Sequence, residues 1–147
     1  MSHEPVNERV FSTPPSLEEI ESIALETLAG LPDRFRRHAE GVIVRIEEFP
    51  DEEVEREMEL ESPFDLMGLY TGVSLDQQSI NDLPRPPNMI FLYRRPLLDY
   101  WCETGEDLPH LIRHVMIHEM GHHFGFSDAD MEALEAEAEE KSEANRA

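Results

Sequence analysis

One segment constrains the fold more than any other. From Leu108 to Phe124 the chain is apolar on more than one helical face, with Leu111, Ile112, Val115, Met116, Ile117, Met120 and Phe124 spread around the axis. A helix that is apolar nearly all round belongs in the interior. Its ends are marked as well. Glu106 or Asp107 can cap the start, Pro109 suits the first turn, and Gly125 allows the positive φ that ends a helix. The chain has 147 residues, a size that buries about 68–70% of the unfolded surface, enough for one core. The expectation is therefore a single domain over 1–147 built around this helix, with 1–13 and 143–147 as flexible tails.

The remaining elements follow from local signals. Ser16 and Glu19 have the spacing of a capping box, Leu17, Ile20, Ala24 and Leu28 share one helical face, and Gly30 closes that helix. Pro32 starts a short second helix with Phe35 and Ala39 inward, ending at Gly41. Residues 41–46 alternate, with Val42, Val44 and Ile46 on one side and Arg45 on the other, which predicts a half-buried strand. Residues 69–75 predict a second strand, where Gly68 and Gly72 suggest a bulge. Residues 89–94 predict a third, closed by Pro96. Prolines at both of its ends predict an edge strand. Tyr100, Trp101 and Cys102 are expected to pack, and an acidic helix to run from Ala129 to Ala144. The order predicts an α+β fold, a small sheet with helices packed on it.

Composition removes several function classes. The formal net charge is −21, and a domain this acidic repels phosphates, so no nucleic-acid partner is expected. Nine acids crowd residues 47–61 and eight crowd 128–147, which reads as solvated helix faces or loose chain. The sequence has no run of apolar residues long enough for a membrane span. Its start has neither a basic region nor an apolar one, so no signal peptide is expected. Cys102 is the only cysteine and suggests no disulfide scaffold. The expected location is cytoplasmic, and oligomeric state is left open.

The chemistry lies within the apolar helix, in His118-Glu119-Met120-Gly121-His122. Residues i and i+4 stack on one helical face, so His118 and His122 can reach one metal ion from consecutive turns. Glu119, rotated by about 100° from His118, flanks the ion and can accept a proton from a water that zinc activates. This is the H-E-x-x-H arrangement of two zinc ligands and a general base. Two histidines and a glutamate in a buried helix are costly without partners, and a metal supplies one. A catalytic zinc needs a third protein ligand. Asp128 lies three residues beyond the Gly125 turn. Ser127 and Asp130 can cap the last helix in its place, which leaves Asp128 free to ligate. Glu132, Glu135 and Glu139 are the alternative source. His114 suggests packing or a place beside the cleft, and His123, Tyr70, Tyr93 and Arg94 are candidates for stabilising an oxyanion.

Residues 118–128 read H-E-x-x-H-x-x-G-x-x-D. This is similar to the metzincin pattern, with Asp in place of the third His, and resembles the small bacterial minimal-zincin metallopeptidases. The segments around Leu31–Phe35, Gly68–Val73 and Ile90–Arg94 share the resemblance, which spans roughly residues 16–135. It implies a zincin-like core, with a small twisted mixed sheet beside an active-site helix. It also implies His118, His122 and Asp128 as zinc ligands. Met131 is too close to Asp128 to act as the downstream Met-turn of the larger metzincins.

The expected function is a zinc-dependent peptidase with Glu119 as general base. Its substrate would be an extended peptide or unfolded protein held by main-chain bonds along the strand at Ile90–Arg94. Two rivals are a metal-dependent hydrolase of a non-peptide substrate and a non-catalytic zinc-binding or interaction module. A ribonuclease would want a basic surface, and a mere binding module has no need of Glu119 between the histidines.

Overall fold

The computed structural model describes residues 13–72 and 87–146. In chain order its elements are α1 (Leu17–Ala29), α2 (Asp33–Arg36), β1 (Ile43–Glu47), α3 (Glu52–Glu57), a 3-10 turn (Pro63–Asp65), β2 (Gly68–Thr71), β3 (Met89–Tyr93), α4 (Arg94–Thr104), α5 (Leu108–Phe124) and α6 (Asp128–Arg146). The 143–147 stretch expected as a tail is helical up to Arg146. Residues 1–12, and 73–75 of the expected second strand, lie outside the described residues.

Local chemistry sets the helix ends. At α1 the Glu19 amide donates to Ser16 Oγ (3.1 Å) and the Ser16 amide donates to Glu19 Oε1 (3.2 Å), a complete capping box. The second helix is shorter than expected. Past Arg36 it tightens to i→i−3 bonds, His38 to Phe35 and Ala39 to Arg36, before Gly41 turns the chain. At α5 the His110 amide donates to Asp107, and Pro109 occupies the first turn.

Among the described residues the sheet has the order β1-β3-β2, with β1 parallel and β2 antiparallel to β3. It is the small mixed sheet of an α+β fold. The order corrects one expectation: β3 is the central strand, not an edge. The prolines that suggested an edge lie outside its ladder. Pro87 precedes the strand and Pro96 sits in the first turn of α4, so no ladder N–H is missing. The packing expected of Tyr100 and Cys102 is corrected too. Both face solvent from α4, while Leu97 and Trp101 take the inward side.

Alternation decides what the sheet buries. Val44, Ile46, Tyr70, Ile90 and Leu92 point to one side, where Ile20 and Ile23 of α1 and Ile112 and Met116 of α5 complete the core. Gly68 pairs in register with Leu92, so no bulge forms there. Its small size serves another end. A Cβ at Gly68 would lie 2.7 Å from Val115 Cγ1 and 3.2 Å from the Phe91 carbonyl oxygen. Glycine thus lets α5 pass closely against β2. Helix α6 packs on α5 through Met131, Leu134 and Ala138, spaced on one face, and turns most of its acids outward. No helix among the described residues is long and apolar enough to cross a membrane.

Candidate metal centre

Helices α5 and α6 are joined by a tight turn that determines which side chains meet. The Phe126 amide donates to the Gly121 carbonyl (2.9 Å) and the Gly125 amide to that of His122 (3.2 Å), with Gly125 at φ 86°. This is a Schellman pair, which closes a helix and reverses the chain. Phe124 and Phe126 both pack on Phe35, with ring centroids 5.6 and 5.4 Å away, and fix the turn to the core. The next helix then has its own cap. The Asp130 amide donates to Ser127 Oγ (3.1 Å) and the Ser127 amide to Asp130 Oδ2 (3.2 Å). Asp128 is therefore free of capping duty.

The carboxylate of Asp128 sits opposite His122, with Oδ1 3.6 Å from Nε2. His118 lies one turn earlier, its ring centroid 5.9 Å from that of His122 and the planes at 83°. His118 does not face Asp128 in the same way. Its Nε2 is 3.5 Å from Glu135 Oε2 and buried, without a hydrogen-bond partner among the described residues. Glu135 also accepts a hydrogen bond from His114 Nδ1 (2.6 Å). Further along, Arg113 and His110 pair with Glu139. The antiparallel helices thus carry a ladder of basic groups on α5 and acids on α6. Of the sequence candidates, His122 meets Asp128 while His118 meets Glu135. Glu132 is exposed. His114, expected to pack or line the cleft, is exposed and bound to Glu135. Its signal was present in the i, i+4 series His110, His114, His118, His122.

The fit to a metal can be tested on distances. Around a tetrahedral zinc, with bonds near 2.0–2.1 Å, neighbouring donors stand about 3.3 Å apart. The 3.6 Å of His122–Asp128 is close to that. Imidazoles and a carboxylate are among the ligands that zinc takes, and His118 Nε2 is buried without a hydrogen-bond partner among the described residues. The donor types fit a metal ion, but in position only His122 and Asp128 pair, while His118 groups with His114 and Glu135.

Glu119 is half-buried. Burial pushes its carboxyl above the ordinary range, and the charge of His122 offsets this only in part. A carboxyl so raised suits a base that must later return its proton. Tyr93, 2% exposed, is pushed up to about 12 by burial and then by the charges of Glu47, Asp51 and Glu119. It stays protonated at neutral pH. Arg94 is committed elsewhere, donating to the Pro15 carbonyl (2.7 Å) and Glu48 (2.9 Å), which removes it as an oxyanion donor. His123 packs on Tyr70, with centroids 4.6 Å apart and the rings tilted at 52°, and its Nε2 is buried without a hydrogen bond among the described residues.

A family model for zincin-like metallopeptidases matches residues 39–138, which takes in β1 through most of α6. No curated protein matches the sequence.

Proposed function

From membership of the zincin-like metallopeptidase family, to which this chain belongs, we propose that the protein is a zinc-dependent peptidase with Glu119 as its general base. His118, His122 and Asp128 hold the metal in this reading. The observation that carries it is the buried His118 Nε2 without a hydrogen bond, one turn from an imidazole–carboxylate pair at 3.6 Å. His118, which faces Glu135, has to turn toward His122 and Asp128 to complete the set.

Zinc bound there would polarise the scissile carbonyl and make water acidic enough to attack near neutral pH. The protein's own groups do the rest. Glu119 takes a proton from the attacking water and passes it to the leaving amine. Arg94 is tied down, which leaves His123, Tyr70 and Tyr93 as the candidate donors to the developing oxyanion. The peptide cannot add to β3, whose two edges are both paired. We assign it instead to β2. Among the described residues no strand pairs with the other edge of β2, and this strand lies against α5. An extended or unfolded substrate would add there as a further strand, held by main-chain bonds.

The test is metal-dependent cleavage of a library of unstructured peptides. The purified protein should cleave some members, lose activity to a chelator and regain it with zinc. Full zinc loading with no cleavage across the library would overturn the peptidase and favour a binding module.

A further inference from the structure

We propose that His114, His118 and Glu135 form a second metal position, one helical turn from the peptidase site. It cannot be filled together with that site, because both need His118. The three side chains offer one ligand atom each, all within 4.8 Å of one another. They come from two helices that the Gly125 turn and the buried contacts of Met131 and Leu134 hold in place. The measured pairs are His114 Nδ1–Glu135 Oε1 at 2.6 Å and His118 Nε2–Glu135 Oε2 at 3.5 Å. The second is near the roughly 3.3 Å between donors around a tetrahedral zinc; the first is a hydrogen bond, whose proton an ion would displace as the pair opens. The His114 and His118 rings stand 4.1 Å apart at 37°, so both present nitrogen to the same carboxylate.

A simple helix-locking ion pair explains less. Arg113 with Glu139 already bridges α5 and α6 one step along, and Arg34 with Glu137 (2.6 Å) ties α2 to α6. In the His114–His118–Glu135 group one imidazole takes the hydrogen bond and leaves the other buried and unsatisfied. A divalent cation of zinc type satisfies both imidazoles at once. An imidazole nitrogen binds one metal at a time, so an ion in this position takes His118 from the peptidase set. The two positions then compete for a single ion, and the chain is latent whenever the outer one holds it. The latency part rests on the peptidase reading; the metal position does not.

The test is zinc affinity of the full chain, measured by competition with a chromophoric chelator, for wild type, His114→Ala, His122→Ala and the double variant. Both side chains are about half exposed or more, and melting temperatures of the zinc-free proteins check that the fold is kept. His122→Ala should still bind one zinc, now through His114, His118 and Glu135. Adding His114→Ala, or Glu135→Gln, should weaken it by more than the 10–100-fold that even an outer-shell partner is worth. Wild type should hold one tight zinc per chain, and His114→Ala should raise turnover per zinc. Equal affinity of His122→Ala and the double variant would overturn the second position while leaving the peptidase site standing. Two tight zinc ions per wild-type chain would overturn the competition. A wild type that binds no zinc would overturn both readings.

Discussion

Replacing Gly121 with alanine tests how tightly α6, and with it Asp128, is held to α5. A Cβ on Gly121 would lie 2.5 Å from Met131 Sδ and 3.0 Å from Met131 Cγ, whereas its 3.7 Å to Phe35 Cε2 is ordinary contact. Favourable carbon contacts begin at about 3.5 Å, so Met131 must retreat by about 1 Å. It has no free space to enter, being 0% exposed. Such overpacking costs about 1–3 kcal/mol. Alanine in a helix interior returns about 1 kcal/mol over glycine. The net expectation for Gly121→Ala is a loss of about 0–2 kcal/mol, read from urea unfolding of the zinc-free protein. Met131→Ala alone opens a cavity and should cost about 2–5 kcal/mol. In that background the clash is gone, and Gly121→Ala should stabilise by about 1 kcal/mol. Zinc affinity adds a second reading, since Asp128 is three residues from Met131 and moves with it. The single variant should bind zinc more weakly and the double variant should recover part of the loss. If Gly121→Ala stabilises wild type and Met131→Ala equally, the α5–α6 contact is not as described.

Two further variants bear on the same helix pair. Asp128→Ala should weaken zinc binding while leaving zinc-free stability nearly unchanged, whereas Ser127→Ala removes a cap and should cost about 0.5–2 kcal/mol of stability; competition titrations and urea curves on both separate ligand from cap. At Glu139 burial pushes the carboxyl up, but the hydrogen bond and charge of Arg113, with His110, leave it below its ordinary value. A folded-state pKa below the unfolded one adds stability above the unfolded pKa, and that stability is lost as pH falls through the folded value. Glu139→Gln should thus cost about 0.2–1 kcal/mol at pH 7, and the gap to wild type should close in acid; a constant gap across pH would refute the ion pair.

Signals confined to neighbouring residues were legible in the sequence. Asp107, Pro109 and Gly125 bound α5 as expected, and Ser16 with Glu19 caps α1, because caps and turns are made by side chains within a few positions. The inward Val44 and Ile46 followed from alternation alone. The place of β3 was not legible. Proline forbids a ladder bond only where it stands, and whether a partner lies beyond it depends on distant chain. The outward Tyr100 and Cys102 have the same origin, since nothing local says which face of α4 meets the core. At the site, His118, Glu119 and His122 are spaced by the helix itself and could be read at once. The freedom of Asp128 from capping also followed from Ser127 and Asp130. The pairing of His114 and His118 with Glu135 depends on how far α6 slides along α5, and no local pattern encodes that register.

The most direct test of a zinc peptidase driven by Glu119 is the turnover of Glu119→Gln at zinc loading equal to wild type. Glutamine keeps the shape and a polar head but cannot take a proton from water, and Glu119 is not a metal ligand in this account. Zinc content and melting temperature should therefore survive the change. Loss of a general base costs about 10²–10⁴ in rate, and the loss should fall on kcat rather than KM, because the base acts only in the transition state. A fully zinc-loaded Glu119→Gln protein that has lost that much kcat toward an unstructured peptide is the predicted result. Turnover equal to wild type at equal zinc loading would contradict it.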